Sequence, residues 1–427
     1  MGSLSILGAR MKSLRVLGLL ALTACILLIE MGCGDYYRPV ANPVPSPGGQ
    51  PQVAHYAWVV NYNPNGDGST TEINVSGDTN QAVNSMGVGS IAEAFPASSL
   101  ALYVANSGND TVSEYLPTLA GAVTTITLLP GSHPVYLSSA INPSMYVLNS
   151  GTNSACPNSG SISTILTATL TVSNTTCVGQ NPIAMAQTPL NNYVYVLNQG
   201  DNTVSVFSAT SNTVVGTITT ADGLGLNPAS VTVSVDGFWI FIVTSGDGTN
   251  PGALDIISSG ATTVAASVPL GVGPTFSIID PNLNRLYVAN TGSNTVSVFD
   301  ASSINPPSNP ISLLATVPVG TSPIGITPLP NGTNFYVANS GSNDVTVVSA
   351  SSFSNLGSVA LPTGANPVFI ASDPGSAKVY VADSGTSATT IIQTSNNSIT
   401  QNISAPTQVS GCTSSCALQT PVMIVTR

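Results

Sequence analysis

Six cysteines, two histidines and 18 carboxylates are the side chains of this 427-residue sequence most able to carry chemistry, and their spacing limits what that chemistry can be. Cys25 and Cys33 stand near the N-terminus, Cys156 and Cys177 lie mid-chain, and Cys412 and Cys416 enclose three residues close to the C-terminus. The only histidines, His55 and His133, are too few to complete a Cys/His zinc cluster, so no metal and no cofactor is expected. Asn65-Gly66-Asp67-Gly68 and Asp247-Gly248-Thr249-Asn250 are oxygen-rich turns of the kind that attract Ca²⁺. Neither has the twelve-residue spacing ending in a bidentate Glu, so both read as solvated turns, with Asp67 and Asp247 as candidate ligand-facing groups. Glu93 stands out within the apolar run Ser90-Ile91-Ala92-Glu93-Ala94-Phe95 as a candidate channel carboxylate. Acid-base catalysis needs several titratable groups in one pocket, and the sequence contains no Gly-x-Ser-x-Gly elbow, phosphate loop or haem-attachment motif.

Composition narrows the classes further. Charged residues make up 6% of the chain, and 7 Lys plus Arg against 18 Asp plus Glu give a net charge of -11. Such a surface offers no cationic footprint for nucleic acid, and the apolar share of 42% supplies the burial that disordered chains lack.

The N-terminus reads as an address. Lys12 and Arg15 precede an apolar run from Val16 to Ile29, too short to span a bilayer but laid out like a secretory signal. The residues around Gly32-Cys33-Gly34-Asp35 resemble a bacterial lipoprotein signal, which implies cleavage before Cys33 and lipid on that cysteine. Leu22-Thr23-Ala24-Cys25 is the alternative site, and an ordinary secretory signal without lipid is a further one. Cleavage at Cys33 leaves four cysteines to pair, whereas cleavage at Cys25 leaves five. Residues 33–54, rich in proline, read as an extended tether, and a membrane-anchored protein of the periplasm or cell surface is expected.

From residue 55 onward one pattern recurs: an aromatic, two or three apolar residues, then a polar turn. Its instances begin at Trp58, Tyr103, Tyr146, Tyr195, Phe241, Tyr287, Tyr336 and Tyr380, spaced from 43 to 49 residues apart. A period of that length indicates a propeller or solenoid. Each unit adds an alternating run such as Thr203-Val204-Ser205-Val206-Phe207, a further β-rich run, and a run opened by proline, as at Pro134, Pro182, Pro274, Pro323 and Pro367. The aromatics are expected to wedge the core, and the Asn-Ser-Gly turns to use left-handed Asn and Gly.

These Tyr-Val-Ala-Asn segments resemble the YVTN-repeat family of β-propellers. The resemblance covers residues 55–427 and implies an all-β propeller, usually seven-bladed, related in fold to lactonase-like and surface-layer-type proteins. The motif count itself predicts eight four-stranded antiparallel blades, with seven as the alternative. The first unit lacks a proline-led strand and the chain ends with an unpartnered one, Pro421–Thr426, so that strand is expected to close the ring on the segment around Trp58.

In such blades the loop after the aromatic strand and the connector leaving the outermost strand share one end. Cys156 and Cys177 therefore fall at that end and are expected to pair, as are Cys412 and Cys416. Tyr36, Tyr37 and Tyr62 fall outside the repeat phase and could touch a ligand there. The functional expectation is a monomeric, non-enzymatic binding scaffold that meets a protein or glycan through its variable loops. The alternatives are a lactonase-like hydrolase and a structural component of a surface assembly.

Overall fold

A computed structural model describes residues 56–75, 77–95, 101–117, 122–139, 144–189, 192–247, 251–407 and 419–426. The lipoprotein-type signal, the tether, Cys25, Cys33, Tyr36, Tyr37, Cys412 and Cys416 lie outside these residues.

Among the described residues thirty-two strands, numbered in chain order, form eight antiparallel sheets of four. The innermost strands are β4 (Ser90–Ala94), β8 (Pro134–Ser139), β12 (Pro182–Gln187), β16 (Pro228–Val233), β20 (Pro274–Asp280), β24 (Pro323–Pro328), β28 (Pro367–Ser372) and β32 (Thr420–Thr426). The outermost are β3 (Thr79–Val88), β7 (Ala122–Thr127), β11 (Thr171–Cys177), β15 (Thr213–Ile218), β19 (Ala266–Pro269), β23 (Ser312–Pro318), β27 (Asn355–Ala360) and β31 (Ser398–Ser404). The protein is an eight-bladed β-propeller; the seven-bladed alternative is excluded. Its last strand closes the ring, since β32 pairs antiparallel with β1 (Tyr56–Tyr62) at Trp58 opposite Val425 and Val59 opposite Ile424.

Proline at the head of the inner strands has a structural consequence. In every innermost strand the register shifts by one residue next to that position, which is a proline in seven strands and Ser90 in β4, as between Pro182 and Ala184 or Ser90 and Ala92. The bulged residue leaves the ladder, which suits a position where the preceding proline has no N–H to give.

The motif aromatics fill the spaces between blades as expected, with Tyr103, Tyr195, Tyr287, Tyr336 and Tyr380 at most 1% exposed. The hydroxyls of Tyr103, Tyr195 and Tyr336 reach polar partners, whereas those of Tyr287 and Tyr380 are buried without one. Tyr195 Oη accepts the Gly260 N–H at 2.7 Å, and Tyr336 Oη donates to Asn397 Oδ1 at 2.6 Å, each bridging to a turn of the following blade. Arg285 and Lys378 open the aromatic strands of the sixth and eighth blades, β21 (Arg285–Asn290) and β29 (Lys378–Asp383). Arg285 donates to the Ala350 carbonyl and lies 4.9 Å over the Phe353 ring, while Lys378 pairs with Asp78 of the first blade.

Candidate functional site: the loop-bearing end

One end of the ring collects the loops that follow the aromatic strands and the connectors that lead into the innermost strands. Its foundation is a buried polar residue at the last position of seven of the eight aromatic strands, and one residue earlier, at Asn61, in β1. Asn106, Asn149, Asn198, Asn290 and Asn339 are inaccessible to solvent and stay within their strands. Each Nδ2 donates to two groups of the next strand: for Asn106 to Thr111 at 3.0 Å and Ser113 at 2.9 Å, for Asn290 to Thr295 at 3.1 Å and Ser297 at 2.9 Å. Asn61 does the same with Ser69 and Thr71. The expectation that this asparagine turns the chain in the left-handed conformation is therefore corrected. Its amide satisfies buried hydroxyls, which a buried strand end requires.

Left-handed backbone occurs four residues later and at the entry to the next inner strand. Asp110, Asn202, Asn294 and Asn343 have φ from 55° to 60°. Their side-chain oxygens accept the amide N–H of His133 (2.7 Å), Asn227 (2.5 Å), Ser322 (2.8 Å) and Asn366 (2.7 Å), the residues preceding the proline-led strands of the following blades. Each such contact latches one blade to its successor. The turn glycine is needed for close approach: Gly151 donates to the Ser132 carbonyl at 2.9 Å, and a Cβ there would stand 2.1 Å from the Gly131 oxygen.

The third blade carries in addition a cross-link within itself. The loop after β9 (Ser144–Asn149) lengthens, and Cys156 pairs with Cys177 at the end of β11, as expected from topology. The pair ties the loop tip to the outermost strand.

The predicted site residues are dispersed. Asp67 is buried, and its carbonyl accepts Asn63 Nδ2 at 3.2 Å and Gln419 Nε2 at 3.3 Å, so the closing connector is fastened here. Asp247 is exposed at the end of the fifth blade's loop, and Tyr62 is half-buried beside Gly89. Glu93 belongs to neither group. Instead of facing an open channel, it lies in the seam between β4 and β32, 2% exposed, with Oε1 accepting the Val425 N–H at 3.2 Å and Oε2 without a partner. Burial holds its carboxyl well above the usual range.

Three other carboxyls, Asp255, Asp280 and Asp383, are shifted upward by burial. Asp383 stands where other blades have asparagine, is pushed up to about 7, and accepts a hydrogen bond from Thr390 while Oδ1 has no partner. Asp255 is raised too, although its Oδ2 accepts the Gly225 N–H at 2.8 Å. His133 is directed by its surroundings: Nδ1 lies 3.0 Å from the Ser107 carbonyl and 3.9 Å from Asp110 Oδ1. Asp110 already binds the backbone N–H groups of Gly131 and His133, which makes it a structural acceptor. Among the described residues no group of three or more His, Cys, Asp or Glu could hold a metal ion.

The asparagine ladder and the inter-blade latches were not singled out from the sequence. Their signal is the five-residue spacing Asn-x-Gly-x-Asn, seen at Asn198 to Asn202, Asn290 to Asn294 and Asn339 to Asn343.

No protein-family model matches the chain, and no curated protein matches it. Solved structures do. Dihydro-heme d1 dehydrogenase NirN in complex with DHE is 12% identical, with a TM-score of 0.65 over 86% of this chain and 76% of that one. Sqt1 from Chaetomium thermophilum, bound to the N-terminus of the ribosomal protein L10, is 11% identical, with a TM-score of 0.60 over 77% of this chain and 91% of its own. Apo AztD from Citrobacter koseri is 14% identical, with a TM-score of 0.59 over 88% and 98%. At such identities the likeness is one of architecture, and this chain shares with these proteins the β-propeller fold.

Proposed function

We propose that this protein is an extracytoplasmic, lipid-anchored β-propeller whose loop-bearing end is a non-enzymatic binding surface for a protein or glycan. The observation that carries the reading is the structural use of polar groups at that end. Asp110, Asn202, Asn294 and Asn343 all hold neighbouring blades together through backbone N–H groups, which leaves a rigid rim on which loops of different length are displayed. The Cys156–Cys177 cross-link fits an oxidising compartment, in keeping with the N-terminal signal pattern and lipid at Cys33, with Cys25 as the alternative. Sqt1, with its bound N-terminal segment, is an instance of the same fold engaging a peptide.

A lactonase-like reading needs a carboxylate open to substrate, and Glu93, closed into the ring seam, is poorly placed to supply one. The test is capture from cell-envelope fractions and glycan arrays, using the intact protein and a variant whose loop from Asn149 to Gly160 is shortened to the length found in the sixth blade. Binding that the loop variant loses supports the proposal. Lactone hydrolysis that survives Glu93→Gln, with no captured partner, contradicts it. Intact mass of the membrane-extracted protein distinguishes lipid on Cys33 from lipid on Cys25.

A further inference from the structure

The end of the ring opposite the loops carries a feature of its own. There the turn from β16 into β17 (Trp239–Thr244), Ser234-Val235-Asp236-Gly237-Phe238, presents Phe238 at 65% exposure and Val235 at 39%, with Trp239 half-buried at its foot. Phe238 is the most exposed large apolar side chain among the described residues. The turn is pinned in this shape. Asp236 Oδ1 accepts the Phe238 N–H at 3.0 Å and the Ser234 hydroxyl at 2.5 Å. Ser234 Oγ accepts the Trp239 N–H at 2.9 Å, and the Ser234 carbonyl accepts the Gly237 N–H at 2.9 Å. An apolar tip fixed in this way, which nothing in the ring covers, is a surface made for contact.

The bilayer is the partner that the path of the chain indicates. β1 begins with Tyr56 at this same end and runs toward the loops, so the tether of residues 33–54 joins the ring here, and so does any lipid on Cys33. A tethered ring stays beside the membrane at high local concentration, where a contact of a few side chains suffices. Charge separates the two ends as well. The loop-bearing end shows Asp110, Asp201, Asp222, Asp247 and Asp344 to solvent and has no Lys or Arg among the described residues. At the opposite end Asp280 and Asp373 are buried and Asp78 pairs with Lys378, which leaves Asp236 and Asp300 facing solvent. Anionic headgroups therefore repel the loop-bearing end more strongly.

We infer that the Val235–Phe238 turn is a membrane-contact site. Phe238 and Val235 enter the headgroup region of the bilayer that holds the lipid, Trp239 lies at the boundary, and the loop-bearing end points away from the surface. The turn belongs to the fifth blade and the tether leads into the first, which stand across the ring from each other, so the two attachments level that end on the membrane. The contact rests on the lipid anchor proposed above, and it adds the orientation in which the loops are open to a partner.

Tryptophan fluorescence tests this, since the chain has 2 tryptophans, Trp58 in the core and Trp239 beside the turn. The membrane-extracted protein, its lipid verified by intact mass, is reconstituted into vesicles of phosphatidylethanolamine and phosphatidylglycerol, with and without lipids brominated next to the headgroup. Brominated lipids are expected to quench part of the emission. That loss is expected to vanish in Trp239→Phe, and to be largely abolished by Val235→Ser combined with Phe238→Ser, both at exposed positions, with the thermal midpoint unchanged. Lipidated protein whose emission the brominated lipids leave untouched overturns the contact while the anchor stands. So does quenching that survives the paired serines or Trp239→Phe. Protein that carries no lipid overturns the anchor, and the contact with it.

Discussion

Glu93 Oε1 accepts the backbone N–H of Val425 at 3.2 Å, across the one seam where sequence-distant segments close the ring. The contact follows a rule visible elsewhere. In the sixth blade Ser277 takes the equivalent place in β20, lying against Ser230 and Thr232 of the preceding blade at 2.9 and 2.8 Å. In the remaining blades that place holds Leu137, Met185, Val231, Ile326, Ile370 and Ile424, so Glu93 is a carboxyl in an apolar wedge position.

That placement sets a pH dependence. The folded-state pKa of Glu93 is raised above 4.5, so the unfolded chain releases its proton at lower pH than the folded chain does. Its contribution is fully present below pH 4.5 and diminishes as pH rises through the folded value. Glu93→Gln keeps an acceptor for Val425 and removes the charge; it is expected to raise stability at pH 8 by about 1 to 3 kcal/mol and to flatten the slope. Calorimetric midpoints from pH 4 to 9 check this, and a variant less stable at pH 8 contradicts it.

Asp383 obeys the same sign. With its carboxyl pushed up to about 7, the stability it contributes is complete near pH 3.8 and falls until about pH 7. Asp383→Asn restores the residue found at the end of most other aromatic strands. The expected gain at pH 8 is a few kcal/mol, about 4 at the upper limit, with little change at pH 4. Urea titrations at the two pH values measure it.

The latches between blades have a conformational component. Asn343→Ala removes the acceptor of the Asn366 N–H and leaves at φ 60° a residue without the polar side chain that lets asparagine tolerate the left-handed region, with an expected cost of about 2 to 3 kcal/mol. Asn343→Gly loses the same bond without the steric penalty and should cost less. The order of the two unfolding midpoints is the readout.

Reduction tests the loop anchor. The Cys156–Cys177 bridge spans a sequence separation of 21, and its loss is expected to cost about 3 kcal/mol. Cys156→Ser with Cys177→Ser should show that loss without reductant, as read by denaturant midpoints.

Much of this architecture was legible because its signals are local and repeated. Eight aromatic strand motifs counted the blades, and the unpartnered Pro421 segment identified the closing strand. Topology alone brought Cys156 to Cys177. The inner face was harder to read. Glu93 reads as a channel carboxylate because its run forms an innermost strand, but a register shift between Ser90 and Ala92 breaks the period-two alternation in β4, so strand position alone does not say which way the side chain points. Asn106 and its counterparts look like turn residues by type, and only burial against Thr111 and Ser113 identifies them as strand ends. Lys378 meets Asp78 across 300 residues of sequence, a distance over which no spacing rule operates.

Ring closure by the last strand is the claim on which the rest depends, and Ala57 opposite Thr426 offers the direct measurement. In a variant with Ala57→Cys and Thr426→Cys, oxidation followed by peptide mapping should recover a 57–426 cross-link and a raised thermal midpoint. A folded protein in which both new thiols stay free, or in which they pair with other partners, would place β32 elsewhere and undo the eight-bladed ring.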